Sequence, residues 1–146
     1  MQAVQGIVTV MARVMIAAIF LASAAMNKIP NFSSVAEGMA GKGIPQPKVL
    51  LAGAIAFLIL GSVSLILGFK ARWGALLLLI FLVAATYYFH DFWRVAPEQR
   101  GQELTNFLKN FALMGTMLFI MANGAGPWSL DRSGKAAAEE QEDDQV

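Results

Sequence analysis

The chain has 146 residues, of which 57% are hydrophobic and only 14% charged, and its formal net charge is +1. Soluble domains carry about 45–50% apolar and about 25% charged residues, so this composition indicates lipid as the surrounding solvent. The basic residues are scattered, which excludes the concentrated positive surface of a nucleic-acid-binding protein. The sequence has no cysteine and one histidine, which excludes disulfides, iron–sulfur clusters, zinc–thiolate sites and a bis-histidine haem. We therefore expect the chain to hold no metal and no cofactor of its own.

Four stretches contain the roughly 20 mostly apolar residues that are needed to cross a hydrocarbon core of about 30 Å. They cover residues 7–28, 48–69, 72–93 and 104–123. The third is the shortest and needs Tyr88 and Trp93 as interfacial anchors. The connection from Phe69 to Arg72 is so tight that the second and third spans must be neighbours. The sequence therefore predicts an all-α fold, an integral membrane four-helix up-down bundle formed by one domain of residues 1–132.

The first span has a second interpretation. Arg13, an apolar run and the A-S-A of residues 22–24 are also the pattern of a secretory signal with its cleavage site. One helical face of the stretch, however, has polar residues at its ends and small residues in the middle, as a face that packs against other helices does: Arg13, Ala17, Phe20, Ala24 and Asn27. We interpret the stretch as a span that is retained.

A short amphipathic helix is predicted between the first two spans, lying at the membrane interface. Its apolar residues fall at helical spacing: Phe32, Val35, Ala36, Met39 and Ala40. Ser34 and Glu37 have the spacing of a capping box, and Gly41 and Gly43 can end the helix. An irregular loop is the alternative.

The end of the chain, residues 133–146, is polar and acidic and has no apolar face. This composition is typical of a disordered tail or of a tail that docks on a partner.

Four spans place both chain ends at one membrane surface and gather polar residues at the other. The cluster predicted there comprises Lys28, His90, Asp91, Trp93, Lys109 and Asn110. Lys109 lies several residues inside the fourth span, and a lysine at the centre of a span costs about 2.5–3.5 kcal/mol. We therefore expect its helix face (Thr105, Lys109, Ala112, Thr116 and Asn123) to point into the bundle, with Asp91 or Glu103 as the counter-ion.

His90 has two interpretations within this cluster. It can exchange a proton or hydrogen-bond a ligand carbonyl, or it can anchor the third span at the headgroup level together with Trp93 and Arg94. At the opposite surface Trp73 and Trp128 are expected to be anchors. Arg13 lies deeper there, and Asn123 or Asp131 are its expected partners. Positive charges are nearly balanced between the two surfaces, so charge alone does not decide the orientation.

Several local patterns together resemble the DoxX family. In chain order they are ARVMIAAIFLASAAMNKIPNF, GKGIP, GFKARWGALLL, FHDFW, FLKNFALMG and GAGPWSLDR. The resemblance runs from about Ala12 to Arg132, and FHDFW, LKN and G-x-G-P-x-S-L-D are its more specific parts. It implies a four-helix integral membrane protein of the bacterial cytoplasmic membrane with both termini cytoplasmic. It also implies that His90, Trp93, Lys109, Asn110 and Asp131 occupy family motif positions.

The founding members of that family are described as small subunits of a quinol oxidase or a thiosulfate:quinone oxidoreductase. The resemblance therefore implies a small subunit or accessory protein, without its own cofactor, of a quinone-linked membrane oxidoreductase, which contacts quinone and other membrane subunits. A homo-oligomer remains possible on this basis. The alternatives are a structural subunit that stabilises a larger membrane complex without a ligand, and a small protein that binds or transports an apolar solute. A transporter is expected to have inverted repeats or broken spans, whereas Gly53, Gly61 and Gly68 are typical of helix packing.

Overall fold

The structure is a computed structural model that describes residues 1–132, so the predicted acidic tail at 133–146 lies outside the described residues. In chain order the elements are α1 (Gln2–Ala22), which continues into a π-helix (Ser23–Lys28), α2 (Phe32–Gly41), α3 (Pro47–Leu67), α4 (Ala71–Phe89) and α5 (Pro97–Asn123). Residues 1–132 contain no β-strand. Four helices are long and apolar enough to span a membrane, namely α1 with its π-helical end, α3, α4 and α5. The predicted all-α membrane bundle is confirmed.

The four spans alternate in direction and define two rims. The start of α1, the α3–α4 turn and the end of α5 meet at the rim that we call the terminal rim. The end of the π-helix, α2, the end of α4 and the start of α5 meet at the opposite rim, which we call the distal rim.

Three helix ends differ from the predicted span boundaries by four or more residues. α1 begins at Gln2 and not at residue 7, and the other two lie at the distal rim. α4 ends at Phe89 and not at residue 93, because His90 leaves helical geometry with φ −125° and ψ 40°. A turn follows, in which the Arg94 amide donates to the Asp91 carbonyl at 2.8 Å. α5 begins at Pro97 and not at residue 104, because proline is favoured in the first helical turn and the polar start of this helix gives no hydropathy signal.

The spanning helices pack mainly as a row in the order α1, α3, α4, α5, with α3 and α4 at the centre. The shared core includes Phe20 of α1, Leu58 and Leu65 of α3, Leu78 of α4 and Met117 of α5. On α1 the predicted packing face is confirmed, since its buried members are Arg13, Ala17, Phe20 and Ala24. Asn27, at the end of that face, is exposed. α5 lies at the edge of the row and leaves most of its surface exposed.

α3 and α4 approach each other through two glycines. A Cβ atom on Gly61 would lie 2.9 Å from the Gly74 carbonyl oxygen, and one on Gly74 would lie 3.1 Å from the Gly61 carbonyl oxygen. Such small residues allow helix backbones to touch in a membrane, so the predicted packing role of Gly61 is confirmed. Gly68 instead ends α3 in the left-handed conformation with φ 62°. The packing role predicted for Gly53 is wrong, because a Cβ there would meet nothing within 4 Å.

α2 is the predicted amphipathic helix between the first two spans. It buries Ala36 and Met39 against Ile44 and Leu51, so it lies on α3 at the distal rim. The predicted capping box is wrong because the helix begins at Phe32, with Asn31 as its N-cap and no side-chain cap. Ser34 therefore lies inside the first turn and donates back to the Asn31 carbonyl at 3.1 Å.

Candidate functional site

His90 is held against α5 by a carboxylate. Its Nδ1 lies 2.9 Å from Oε2 of Glu103, and the two side chains are 28% and 25% exposed. The pair forms because His90 is the C-cap of α4, where its amide still donates to the Thr86 carbonyl at 3.1 Å, and because α5 begins early enough to include Glu103. His90 is thus a half-buried link between two helices, and its partner is not the Asp91–Lys109 pair that the sequence favoured.

One turn deeper, a second polar contact joins the same two helices. The Asn110 amide nitrogen donates to Oγ1 of Thr86 at 2.9 Å. Thr86 is 5% exposed, so this hydrogen bond satisfies a hydroxyl inside the bundle. Polar pairs of this kind hold membrane helices in register. Asn110 therefore faces the bundle, as the sequence predicted.

Lys28 ends the π-helix and occupies a separate position on the distal rim. Its amine donates to Oγ of Ser23 at 2.7 Å and lies 5.2 Å from the centre of the Phe81 ring. The π-helical winding places Ser23 and Lys28 on one face. Single turns of π-helix are frequent at functional sites, and this one brings a cation beside α4.

Asp91 is only 9% exposed and is paired with cations other than the predicted one. Its carboxylate lies 3.9 Å from the Lys42 amine and 4.0 Å from the Arg94 guanidinium. The Lys42 amine is also 5.5 Å from the centre of the Phe89 ring. Asp91 thus ties the segment after α2 to the end of α4.

The predicted single cluster is therefore split, and its central assumption about α5 is wrong. Lys109 is exposed, and within residues 1–132 it forms no ion pair with a carboxylate within 4.0 Å. Its helix face, expected to point inward, points outward, since Thr105, Ala112 and Asn123 are exposed as well. The buried face of α5 carries Met117 and Ile120 instead.

Trp93 belongs to an aromatic group on the same rim and not to the polar contacts. It is 48% exposed, and its ring packs edge-on against Phe92, with centroids 5.1 Å apart. Phe107 of α5 lies 6.2 Å away, also edge-on. A half-exposed tryptophan at the end of a span suits an interfacial position.

An apolar groove runs along α4 towards His90. It has a volume of about 450 Å³ and is lined by Leu79, Ile80, Val83, Ala84 and Tyr87. Tyr87, at one end of this lining, lies three residues before His90 in the chain. An apolar groove of this kind can receive a hydrophobic molecule. Residues 1–132 contain no group of three or more His, Cys, Asp or Glu that could hold a metal ion.

At the terminal rim Arg13 is 4% exposed and has a partner that the sequence did not suggest. Its Nη2 donates to the main-chain carbonyl of Trp128 at 2.6 Å. Asn123, one of the predicted partners, instead donates to the Phe119 carbonyl of its own helix at 3.0 Å. Asp131 lies close enough to act on Arg13 through its charge, but its oxygens bind elsewhere.

The Asp131 carboxylate caps the start of α4. It accepts the Lys70 amide at 2.7 Å and the Ala71 amide at 3.0 Å, while its own amide donates to the Gly68 carbonyl at 2.9 Å. The segment after α5 is thereby fastened across the α3–α4 turn. Trp73 is 68% exposed, as expected of an anchor.

Trp128 is 58% exposed, yet it is a contact residue as well as an interfacial one. Its backbone has φ 52° and its carbonyl accepts from Arg13. A Cβ atom on Gly6 would lie 2.5 Å from its ring, so the ring lies directly on the start of α1.

Four helices long and apolar enough to span a membrane and a short helix packed on α3 define a small integral membrane protein. The DoxX family model matches residues 8–91, which is more than half of the chain, and the chain belongs to the DoxX family.

Its relatives include inner membrane proteins. Inner membrane protein YphA of Escherichia coli (strain K12) is 26% identical over 130 residues, which are 89% of this chain and 92% of that protein. Inner membrane protein YqjF of the same organism is 24% identical over 132 residues, 90% of this chain and 95% of that protein. The Surfeit locus protein 4 homolog of Schizosaccharomyces pombe is 25% identical over 97 residues, which are 65% of this chain and only 31% of that protein.

No solved structure matches the chain. The four apolar helices and the inner membrane relatives identify an integral inner membrane protein.

Proposed function

We propose that this protein is a small accessory subunit, without a redox cofactor of its own, of a quinone-linked membrane oxidoreductase. The observation that carries the proposal is the His90–Glu103 pair at the distal rim, which follows Tyr87 of the apolar groove by three residues in the chain. The resemblance to DoxX proteins, whose founding members are described as subunits of quinone-linked enzymes, supports the same assignment.

The groove and the pair match the two parts of a quinone. Its apolar tail would lie along Leu79, Val83 and Tyr87, and its carbonyl would meet the His90 imidazole at the distal rim. Reduction of a quinone to a quinol takes up two electrons and two protons. The electrons would come from a redox centre in a partner subunit, while His90 and Glu103 would exchange protons with the carbonyl.

The test is binding of decylubiquinone to the purified full chain in detergent. Val83 is 53% exposed, so Val83→Trp fills the groove without disturbing the core, and we expect at least tenfold weaker binding. His90→Asn removes the proton-exchanging group and a hydrogen bond worth about 0.5–1.5 kcal/mol, which predicts roughly 3- to 10-fold weaker binding. Asn123→Ala, at the other rim, is the matched control and should bind as the parent does. Equal binding by the parent and Val83→Trp would exclude the groove.

A structural role in assembling a larger membrane complex is the second candidate, and the outward face of α5 favours it. Lys109 and Thr116 lie on this face at the edge of the row, and Lys109 has no carboxylate partner within 4.0 Å in residues 1–132. A cation within a span is costly when it faces lipid, so a partner helix with a carboxylate would stabilise it.

The absence of cysteine makes this role directly testable. Ala112→Cys places a single thiol on the outward α5 face, and Met15→Cys, 71% exposed, places one on α1 as the control. Cross-linking in native membranes should join Ala112→Cys to one defined partner and Met15→Cys to none. A product of twice the chain mass would identify a homo-oligomer, and no product from Ala112→Cys would exclude this face as the interface.

A further inference from the structure

A second cavity lies at the terminal rim, far from the apolar groove on α4. We call this second cavity the terminal cleft. It has a volume of about 450 Å³ and lies between the start of α4 and the segment that follows α5. Three of its lining residues are cations: Lys70, Arg72 and Arg132. Among residues 1–132, the single acid that lines it is Asp131.

The acid does not neutralise the cations. Both Asp131 oxygens accept backbone amides at the start of α4, and within residues 1–132 no carboxylate lies within 4.0 Å of Lys70, Arg72 or Arg132. Among the described residues, the one hydrogen bond from these three side chains to the protein is a long one, 3.4 Å from Arg72 to the Ala122 carbonyl. The cleft therefore gathers three cations that lack a carboxylate partner.

A fourth cation lies behind the wall of the cleft. A Cβ atom on Gly68 would clash with both the Arg13 Nη1 and the Ser129 Cβ, so these two atoms lie close to Gly68. Ser129 also lines the cleft. Arg13 is 4% exposed, and within residues 1–132 its Nε and Nη1 have no hydrogen-bond partner. The three lining cations outnumber the one lining acid of the described residues, so the cleft has a positive potential, which low-dielectric walls strengthen.

The position of the cleft selects the kind of anion. Trp73 lines it and is 68% exposed at the end of a span, which is where tryptophans lie at the headgroup level. Ala125 and the glycines at 124 and 126 give it a surface without bulky side chains. A phosphate at this depth with acyl chains running down beside α4 meets both the cations and the apolar surface.

We propose that the terminal cleft binds the phosphate of an anionic phospholipid headgroup. Lys70, Arg72 and Arg132 contact the phosphate oxygens, and Trp73 contacts the glycerol and the upper acyl chains. The start of α4 makes no contribution as an anion site, because Asp131 already occupies it. The site is specific for a lipid phosphate, and lipid binding there does not depend on the apolar groove on α4.

The test is a native mass spectrometry titration of the full chain in detergent with dioleoyl phosphatidylglycerol, and with dioleoyl phosphatidylcholine for comparison. The parent should bind phosphatidylglycerol more tightly by at least tenfold. Each basic residue near an anionic surface contributes enough to change affinity by about fivefold, so Arg72→Gln with Arg132→Gln should weaken binding roughly 10- to 30-fold. Arg94→Gln with Arg100→Gln, two exposed arginines at the distal rim, is the matched control and should leave binding within twofold of the parent.

Four results would overturn the proposal. The first is equal affinity for the two lipids, and the second is an equal loss in both double variants. The third is binding of inorganic phosphate as tightly as phosphatidylglycerol, which would make the cleft a site for free phosphate. Circular dichroism of each variant distinguishes lost binding from lost folding. A Lys70→Gln variant that retains its helicity provides a second measurement of phosphatidylglycerol binding.

The fourth concerns the acidic residues Glu139, Glu140, Glu142, Asp143 and Asp144, which follow Arg132 in the chain. If full chain with these five changed to Gln or Asn binds phosphatidylglycerol and the parent does not, the occupant of the cleft is the chain's own acidic segment and not a lipid. Equal binding by the two supports the lipid.

Discussion

Asp131 gives the sharpest test of how the terminal rim is held together. Replacing it with alanine removes the acceptor of the Lys70 amide at 2.7 Å and of the Ala71 amide at 3.0 Å. Loss of a helix N-cap costs about 0.5–2 kcal/mol, and a hydrogen bond to a charged group contributes about 1.5–3 kcal/mol. The two figures describe the same contacts in part and are not added. The substitution also removes the negative charge that acts on buried Arg13. We expect Asp131→Ala to lower the free energy of unfolding by about 2–3 kcal/mol.

The assay is thermal unfolding in detergent, followed by intrinsic tryptophan fluorescence, because Trp73 and Trp128 both lie near this rim. For a chain of this size about 1 kcal/mol corresponds to roughly 2–4 °C, so Tm should fall by about 5–10 °C. Asp131→Asn keeps one acceptor oxygen and should lose about half as much.

The matched control is Glu98, an acid in the first turn of α5 at a helix that has no side-chain cap. Glu98→Ala removes only a favourable interaction with the helix dipole, about 0.3–1 kcal/mol. If Asp131→Ala lowers Tm by no more than Glu98→Ala does, the capping role is refuted. Asp131 would then contribute no more than an acid that only interacts with a helix dipole.

Gly74→Val should lower stability by about 1–3 kcal/mol in the same assay, because a Cβ at Gly74 already lies 3.1 Å from the Gly61 carbonyl oxygen; an unchanged Tm would show that α3 and α4 separate freely. Asn110→Leu should cost about 0.6–1.7 kcal/mol, the range measured for polar contacts between membrane helices, and no cost would mean that Thr86 finds another partner. Topology reporters fused after Lys48 and after Arg132 should give opposite signals, and equal signals would exclude four spans.

The sequence predicts the spans and one packing face well. Hydropathy locates all four spanning helices because lipid demands long apolar runs with internal hydrogen bonds. The α1 face from Arg13 to Ala24 is predicted correctly because a buried charge at one end and small residues along the face identify the side that packs.

The α5 face is predicted wrongly for a physical reason. The sequence predicts that Lys109 points inward, because a charge in a closed bundle has no better position. In the structure α5 lies at the edge of a row, and a long side chain near a rim can extend its amine towards water. The sequence does not predict the His90–Glu103 pair, because Glu103 is expected to be a counter-ion of Lys109 and the early start of α5 carries no apolar signal.

The partner of Arg13 could not be read from the sequence at all. The acceptor is the main-chain carbonyl of Trp128, and every residue type offers such a carbonyl. The motif G-x-G-P-x-S-L-D marks the segment as special, yet only the fold shows that Asp131 caps α4 while the carbonyl three residues before it receives the guanidinium.

The fastening of residues 128–131 across the α3–α4 turn sets an order for biogenesis. A guanidinium made near the beginning of synthesis receives its acceptor from a residue made near the end, and until then the start of α4 also lacks its cap. Unsatisfied polar groups at the edge of the hydrocarbon cost several kcal/mol each. In a nascent chain that has inserted only its first three spans, Arg13 therefore lacks this acceptor and the start of α4 lacks its cap, until residues 128–131 emerge and supply both.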